Sequence, residues 1–359
     1  MGIGYSFLTF LIVLTPVVFF HELGHFWAAR RSGVVVEVFS VGFGPEIFGF
    51  TDRHGTRWKF AALPLGGYVR MAGDMDASST PSPDADNIEG SFQSASLGAK
   101  AFIVAMGPIA NFILGIVIIA MMYISIGKVT IPNVIGEIQP GGAAEQAGLM
   151  TGDVVTEVNG YRVRDFKELR AFVFESPGKP IEMLVERRGT KMLLTVIPEI
   201  VEDRCLMTDY GRLGVVSSGG ELKIYGPGEA LVLATYDSFN MAFTMLRGIG
   251  RLVSGNANKG ELGGPVKIAE ISGHAASRGF ASLALFTAVI SINLGLVNLL
   301  PVPALDGGHL MFFGIQKLMG RPMDQRMQEM IMRAGMAFLI TMIIVVTFFD
   351  ILGNIGSEC

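Results

Sequence analysis

Four stretches of the chain stay apolar for long enough to cross a bilayer, which takes about 20 mostly apolar residues. Gly4 to Ala29 carries one formal charge, Glu22, and ends at Arg30-Arg31. Ala101 to Gly127 carries none and is bracketed by Lys100 and Lys128, and Gly279 to Leu305 lies uncharged between Arg278 and Asp306. Ala334 to Phe349 is shorter but continues past Asp350 through Ile351, Leu352 and Ile355. Between the first two spans, Val34 to Phe39 is β-branched and aromatic and Trp58-Lys59-Phe60 is a shorter aromatic run, with turn residues between them, which predicts a hairpin. From 133 to 199 the pattern changes to short elements. Short strands and helices are predicted at Val134–Ile138 and across Gly148 to Gly160, where Asn159-Gly160 signals a turn between strands, followed by a helix at Asp165–Phe174 and strands at Ile181–Val185 and Met192–Ile197. A fifth apolar stretch, Ala230 to Leu246, contains Tyr236, Asp237 and Asn240 and reads as lying in the membrane interface rather than crossing.

The fold class predicted is a polytopic α-helical membrane protein with four transmembrane helices, a membrane-associated β region and one α+β domain outside the cytoplasm. The spans occupy 4–30, 100–128, 278–310 and 330–356. The β region with its loop fills 31–99, the α+β domain 129–200, and a connecting region with interfacial helices 201–277. The tract from Asp74 to Glu89, rich in Ser, Pro and Asp, reads as a flexible surface loop. Composition agrees. Half of the 359 residues are hydrophobic and 17% are charged, against roughly 25% charged in soluble domains, and mean hydropathy is +0.48. A net charge of −4 gives no basis for nucleic-acid binding. Cys205 and Cys359 are too few for a disulfide framework. The first span is expected to be retained rather than cleaved as a signal peptide, because it has no basic n-region and runs into His21 rather than a small-residue cleavage site.

Lys and Arg near span ends set orientation. They gather between the first and second spans and between the third and fourth, and none precedes the first or follows the fourth. Both termini and the stretch 129–277 are therefore expected outside the cytoplasm.

His21-Glu22-x-x-His25 carries the candidate chemistry. Residues i and i+4 share one helix face, so both imidazoles can reach one ion, and Glu22 stands where it can take a proton from water. Chance would supply about 0.004 such matches in a chain with this many His and Glu. Within a span such ionisable groups default to a functional reading. A catalytic zinc takes three protein ligands, so a third must come from elsewhere. Asp306, where Pro301, Pro303, Gly307 and Gly308 break the third span, is the better candidate, and the topology brings it to the same leaflet as His21 and His25; His309 is the alternative. His54 lies in a polar turn and His274 outside the cytoplasm. Two readings from other classes are a non-catalytic scaffold that binds partners through the 129–200 domain and a metal transporter. The intact Glu22 weighs against the first, and a second span with little polar beyond Asn111 against the second.

These residues resemble the site-2 protease family of intramembrane zinc metalloproteases, in the branch of the bacterial regulator of sigma-E protease. The family pairs a membrane-embedded His-Glu-x-x-His with a later Leu-Asp-Gly, here His21, Glu22, His25 and Leu305-Asp306-Gly307. Phe39–Pro45, Leu63–Val69 and Gly107–Phe112 also match bacterial members. The resemblance implies zinc on His21, His25 and Asp306, with Glu22 as catalytic base. It implies that the β region presents unwound substrate, with Gly42, Gly44, Gly66 and Gly67 as candidate substrate contacts. The bare alternative is a hairpin that only packs at the membrane face. Asn298 either packs helices or, as the resemblance suggests, contacts the substrate backbone or helps stabilise the oxyanion; Asn111 reads as structural glue, or as a substrate contact. The stretch Ala147-Gly148-Leu149-x-x-Gly152-Asp153 to Val158-Asn159-Gly160 resembles a PDZ domain, which binds an extended peptide or substrate tail or else acts as a steric gate. No second PDZ pattern is legible in 201–277. The implied substrates are single-span proteins of the lipid bilayer, such as anti-sigma factors or signal-peptide remnants, and the implied location is the bacterial inner membrane, with the active site toward the cytoplasm.

Overall fold

A computed structural model describes residues 3–74, 88–203, 208–254, 264–321 and 323–356. Residues 75–87 of the Ser/Pro/Asp-rich tract, Cys205 and Cys359 lie outside the described residues. The chain divides into two compact units, residues 1–121, 228–250 and 263–358 in one and mainly 122–227 in the other.

The first unit opens with helix α1 (Ile3–Arg31). Strands β1 (Val36–Thr51) and β2 (Arg57–Met71) follow, and then helix α2 (Leu97–Ser125). Both strands run further than the aromatic runs predict, because glycines in left-handed conformation, Gly42 and Gly44 in β1 and Gly66 in β2, let the chain bend and resume pairing. Val38 is paired with Arg70 on one side and Arg57 on the other, so the first half of β1 lies between two segments of β2. This curled sheet is fixed to the end of α1. Phe39 is fully buried against Phe19, Phe26 and Trp58, and Val34, Val36, Val69 and Met71 close the core with Ile103 of α2. At the strand turn Asp52 accepts hydrogen bonds from Arg30 and from Trp58 Nε1. Burial alone would raise its carboxyl, but these bonds and those from the His54 and Thr56 amides hold it well below the usual carboxylate range.

The second unit places β3 (Lys128–Thr130), β4 (Ile135–Ile138), helix α3 (Ala143–Gln146), β5 (Val154–Val158), β6 (Tyr161–Arg162) and helix α4 (Phe166–Phe174) in succession. β7 (Ile181–Arg187), β8 (Thr190–Val196), β9 (Glu199–Asp203), β10 (Thr208–Arg212), β11 (Val215–Ser217) and β12 (Glu221–Lys223) complete it. Its main sheet has the order β6-β5-β7-β8. Asn159 and Gly160 take the positive φ angles that their turn demands, and Asp165 caps α4 by accepting from the Glu168 amide. The unit continues past residue 200, because β11 pairs with β4 and β12 with β3.

The first unit resumes with α5 (Pro227–Val253), α6 (Pro265–Ser277), α7 (Phe280–Leu299), α8 (Asp306–Met319) and α9 (Gln325–Gly356). Four described helices are long and apolar enough to cross a membrane: Gly4–Arg31, Leu97–Ser125, Phe280–Leu299 and Arg326–Phe348. Their exposed faces carry Phe7, Ile12, Ile113, Met121, Phe338 and Ile344, which is how a lipid-facing surface differs from a water-facing one. α5 is not among the four. Its buried face is a stripe of Ala230, Ala234, Ser238 and Ala242.

Candidate metal centre

The site is built where α1 meets α2. The two helices can approach only at glycine: a Cβ on Gly24 would overlap the Met106 carbonyl, and one on Gly107 would overlap the His25 imidazole. α7 packs against α2 in the same manner, through Gly115, Gly295 and Ser291, whose Oγ donates to the Asn111 carbonyl at 2.8 Å. α7 then stops. Pro301 and Pro303 lack N–H groups and bias the residues before them away from helix, and Ala304 takes φ +75°. The chain restarts as α8 at Asp306. Gly307 and Gly308 pack directly on the carbonyls of Leu299, Leu300 and Val302, where any Cβ would overlap them. Gly335 of α9 packs on Pro303, and the Ala304 amide donates to Met332 Sδ at 3.4 Å. A short loop held from both sides thus places one carboxylate.

That carboxylate meets both histidines. Asp306 Oδ2 lies 3.2 Å from His21 Nε2 and 3.6 Å from His25 Nε2, and the two Nε2 atoms are 3.2 Å apart. Asp306 Oδ2 is buried and makes no hydrogen bond of acceptable geometry to either ring, despite these distances. Three ligand atoms gathered this closely, the carboxylate oxygen among them left without a hydrogen bond, fit a metal. Ligands about 2.05 Å from a tetrahedral zinc lie about 3.3 Å from each other, close to the three separations observed. Among the described residues, His21, His25 and Asp306 are the one His/Cys/Asp/Glu group arranged to hold an ion. His309, one turn further along α8, is outside it and its ring lies near Phe313. His54 is in the exposed strand turn, and His274 faces Glu270 on α6.

The outer nitrogens are also occupied. His25 Nδ1 is 2.9 Å from the Ile103 carbonyl, and His21 Nδ1 is 3.2 Å from Asn111 Nδ2. A carbonyl can only accept, so Nδ1 of His25 carries its proton and Nε2 is free for the metal. Asn111, read from the sequence as helix glue or a substrate contact, touches a ligand directly. Gly107 and Asn111 have the same four-residue spacing as His21 and His25 on an antiparallel helix, a signal present in the sequence once that pairing is considered.

Glu22 is half-buried beside the two histidines. Gly67 of β2 lies against it, and a Cβ there would come 3.1 Å from Glu22 Cγ and 2.7 Å from the Ser40 carbonyl. Gly42 brings β1 close to the Leu63 carbonyl, Gly66 accommodates the Phe43 ring, and Gly44 has Leu63 Cδ1 4.0 Å from where a Cβ would stand, so these three shape the sheet and only Gly67 adjoins the base. Asn298 is half-buried in the last turn of α7, and its amide bonds to no described residue.

The model of peptidase family M50 matches residues 9–342. A Rhizobium meliloti protein named as a zinc metalloprotease is 39% identical over 98% of this chain and 97% of its own. Proteins named in the same way from Agrobacterium fabrum and Campylobacter jejuni are 38% and 36% identical, over 97% and 98% of this chain and 96% and 95% of their own.

Proposed function

From the premise that this chain belongs to peptidase family M50 and is a zinc metalloendopeptidase of the membrane, we propose that it hydrolyses peptide bonds within transmembrane segments of single-span proteins. Anti-sigma factors and signal-peptide remnants are the substrate classes in view, and the process is regulated intramembrane proteolysis. The observation that carries this reading is the convergence of His21, His25 and Asp306 among helices apolar enough to lie in a bilayer, with Glu22 beside them.

Zinc held by these three residues supplies Lewis acidity, which polarises a scissile carbonyl and acidifies water. Glu22 takes the proton of the attacking water and returns it to the leaving amine. A transmembrane substrate arrives as a helix, whose carbonyls are engaged, and hydrolysis needs it extended. Residues 67–71 of β2 form an outer strand paired on one side with β1, and Gly67 adjoins Glu22, so a substrate strand added along this edge runs past the base. Asn298, with its amide free of other described residues, donates to the substrate backbone. The active site faces the cytoplasm and both termini the periplasm, following the Lys and Arg distribution.

The second unit acts as a PDZ domain that takes an extended peptide or substrate tail. A cleft of about 390 Å³ lies between α4 and residues 210–215, floored by Leu169, Val173, Leu213 and Val215. β11 pairs with β4 along one edge, and its other edge has no strand partner among the described residues.

Replacing Glu22 by Gln separates the roles. The variant should keep about one zinc per chain and lose about 10²- to 10⁴-fold in cleavage of a model single-span substrate. Cleavage at the wild-type rate would remove Glu22 as base, and a wild type without zinc would remove the metalloprotease reading.

A further inference from the structure

The two ligand histidines are held from behind by groups of different kinds. His25 presents Nδ1 to a main-chain carbonyl, Ile103 O, which fixes its proton. His21 presents Nδ1 to a side chain, the amide of Asn111, which is fully buried. An amide offers either a donor or an acceptor, and its oxygen and nitrogen have the same outline, so the bonding around it decides which faces the ring.

Two observations decide it. His21 Nε2 faces Asp306 Oδ2 and His25 Nε2, so Nε2 is its ligand atom; a neutral imidazole bound through Nε2 carries its hydrogen on Nδ1. An NH₂ group turned toward Nδ1 would then set donor against donor. With the NH₂ in that position, Asn111 Oδ1 is a buried acceptor with no partner. We infer that Asn111 turns Oδ1 to His21 and accepts its Nδ1–H in the zinc-loaded protein, selecting the tautomer and ring orientation that leave Nε2 free for the metal. Both histidines are then fixed by carbonyl oxygens of α2, one from the main chain at Ile103 and one from the side chain at Asn111, two helical turns apart. Asn111 is itself held in place: its own carbonyl receives Ser291 Oγ, and Gly295 packs beside its Cβ. It is a positioning residue, acting through His21.

The inference rests on the zinc site of the proposed function, and its test reads metal binding in the full-length protein in detergent. Zinc affinity would be measured by competition with a chromogenic chelator, and ligand geometry by the visible absorption of the cobalt-substituted protein. Asn111→Leu keeps the bulk and removes the acceptor; it should bind zinc about 10- to 100-fold more weakly and shift the cobalt bands. Asn111→Asp, with an acceptor at both positions, should restore affinity and spectrum to near wild type. Wild-type affinity and spectrum in Asn111→Leu would overturn the inference. So would a loss in Asn111→Asp equal to that in Asn111→Leu, since the NH₂ group would then be the working atom. Should the Leu variant fail to fold, Asn111→Ala gives the same comparison with a smaller side chain. A wild type that binds no zinc would overturn the proposed function together with this inference, whereas a zinc-loaded, active wild type beside an unaffected Asn111→Leu overturns the role of Asn111 alone.

Discussion

A methyl group on residue 107 has no room. It would overlap the imidazole of His25, and that ring cannot swing aside without breaking its bond to Ile103 O. Overpacking of this kind costs about 1–3 kcal/mol. Taken from the metal site, that is roughly 5- to 150-fold in zinc affinity for Gly107→Ala, with helix content by circular dichroism unchanged; undiminished zinc affinity would show that the ring has another resting place. His21 and His25 were legible in the sequence because their four-residue spacing alone places them on one helix face, with Glu22 next in the chain to the first. Asp306 was legible because two prolines and two glycines announce a broken helix at the right depth. Gly107 and Asn111 were not, because their work depends on the register between two antiparallel helices, which no single segment displays. The sequence offers the four β-region glycines as one group of candidate substrate contacts, and only the folded sheet separates Gly67, beside the base, from three that bend the strands.

Among the elements, the strand pair β5–β7 is anchored by an ion pair that the sequence conceals. Asp153, 1% exposed, accepts from Arg187 Nε at 2.7 Å and Nη2 at 2.8 Å, and from the Met150 amide at 2.8 Å. Burial pushes its carboxyl up, but the guanidinium and the amide outweigh that and hold it below its ordinary value. A lowered native value means that the pair stabilises the domain in full above the ordinary carboxylate range and ceases to as pH falls through the native value. Asp153→Asn should therefore destabilise the domain at pH 7, seen as a lower melting temperature of the second unit. The gap to wild type should narrow as pH drops below about 4; a gap independent of pH would assign the loss to packing. The strands themselves were legible from alternation and from the Asn-Gly turn. The reach of β1 and β2 was not, since their bends look like turns until the pairing resumes beyond them.

In the whole molecule, the four long apolar helices follow directly from hydropathy, and α5 falls short of the others because Glu229, Asp237 and Arg247 interrupt it. The end of the second unit did not follow, because β11 and β12 return to strands some 80 and 90 residues earlier and only long-range pairing reveals the closure. The last helix gives the molecule a further property. α9 supplies no ligand and no base, yet Gly335 within it is buried against Pro303, three residues before Asp306, and a Cβ there would overlap the proline ring. A genetic screen for loss of proteolysis should recover Gly335→Ala as a recessive, metal-poor allele. It would map to the helix most distant in sequence from His21 and be missed by any search confined to the ligands.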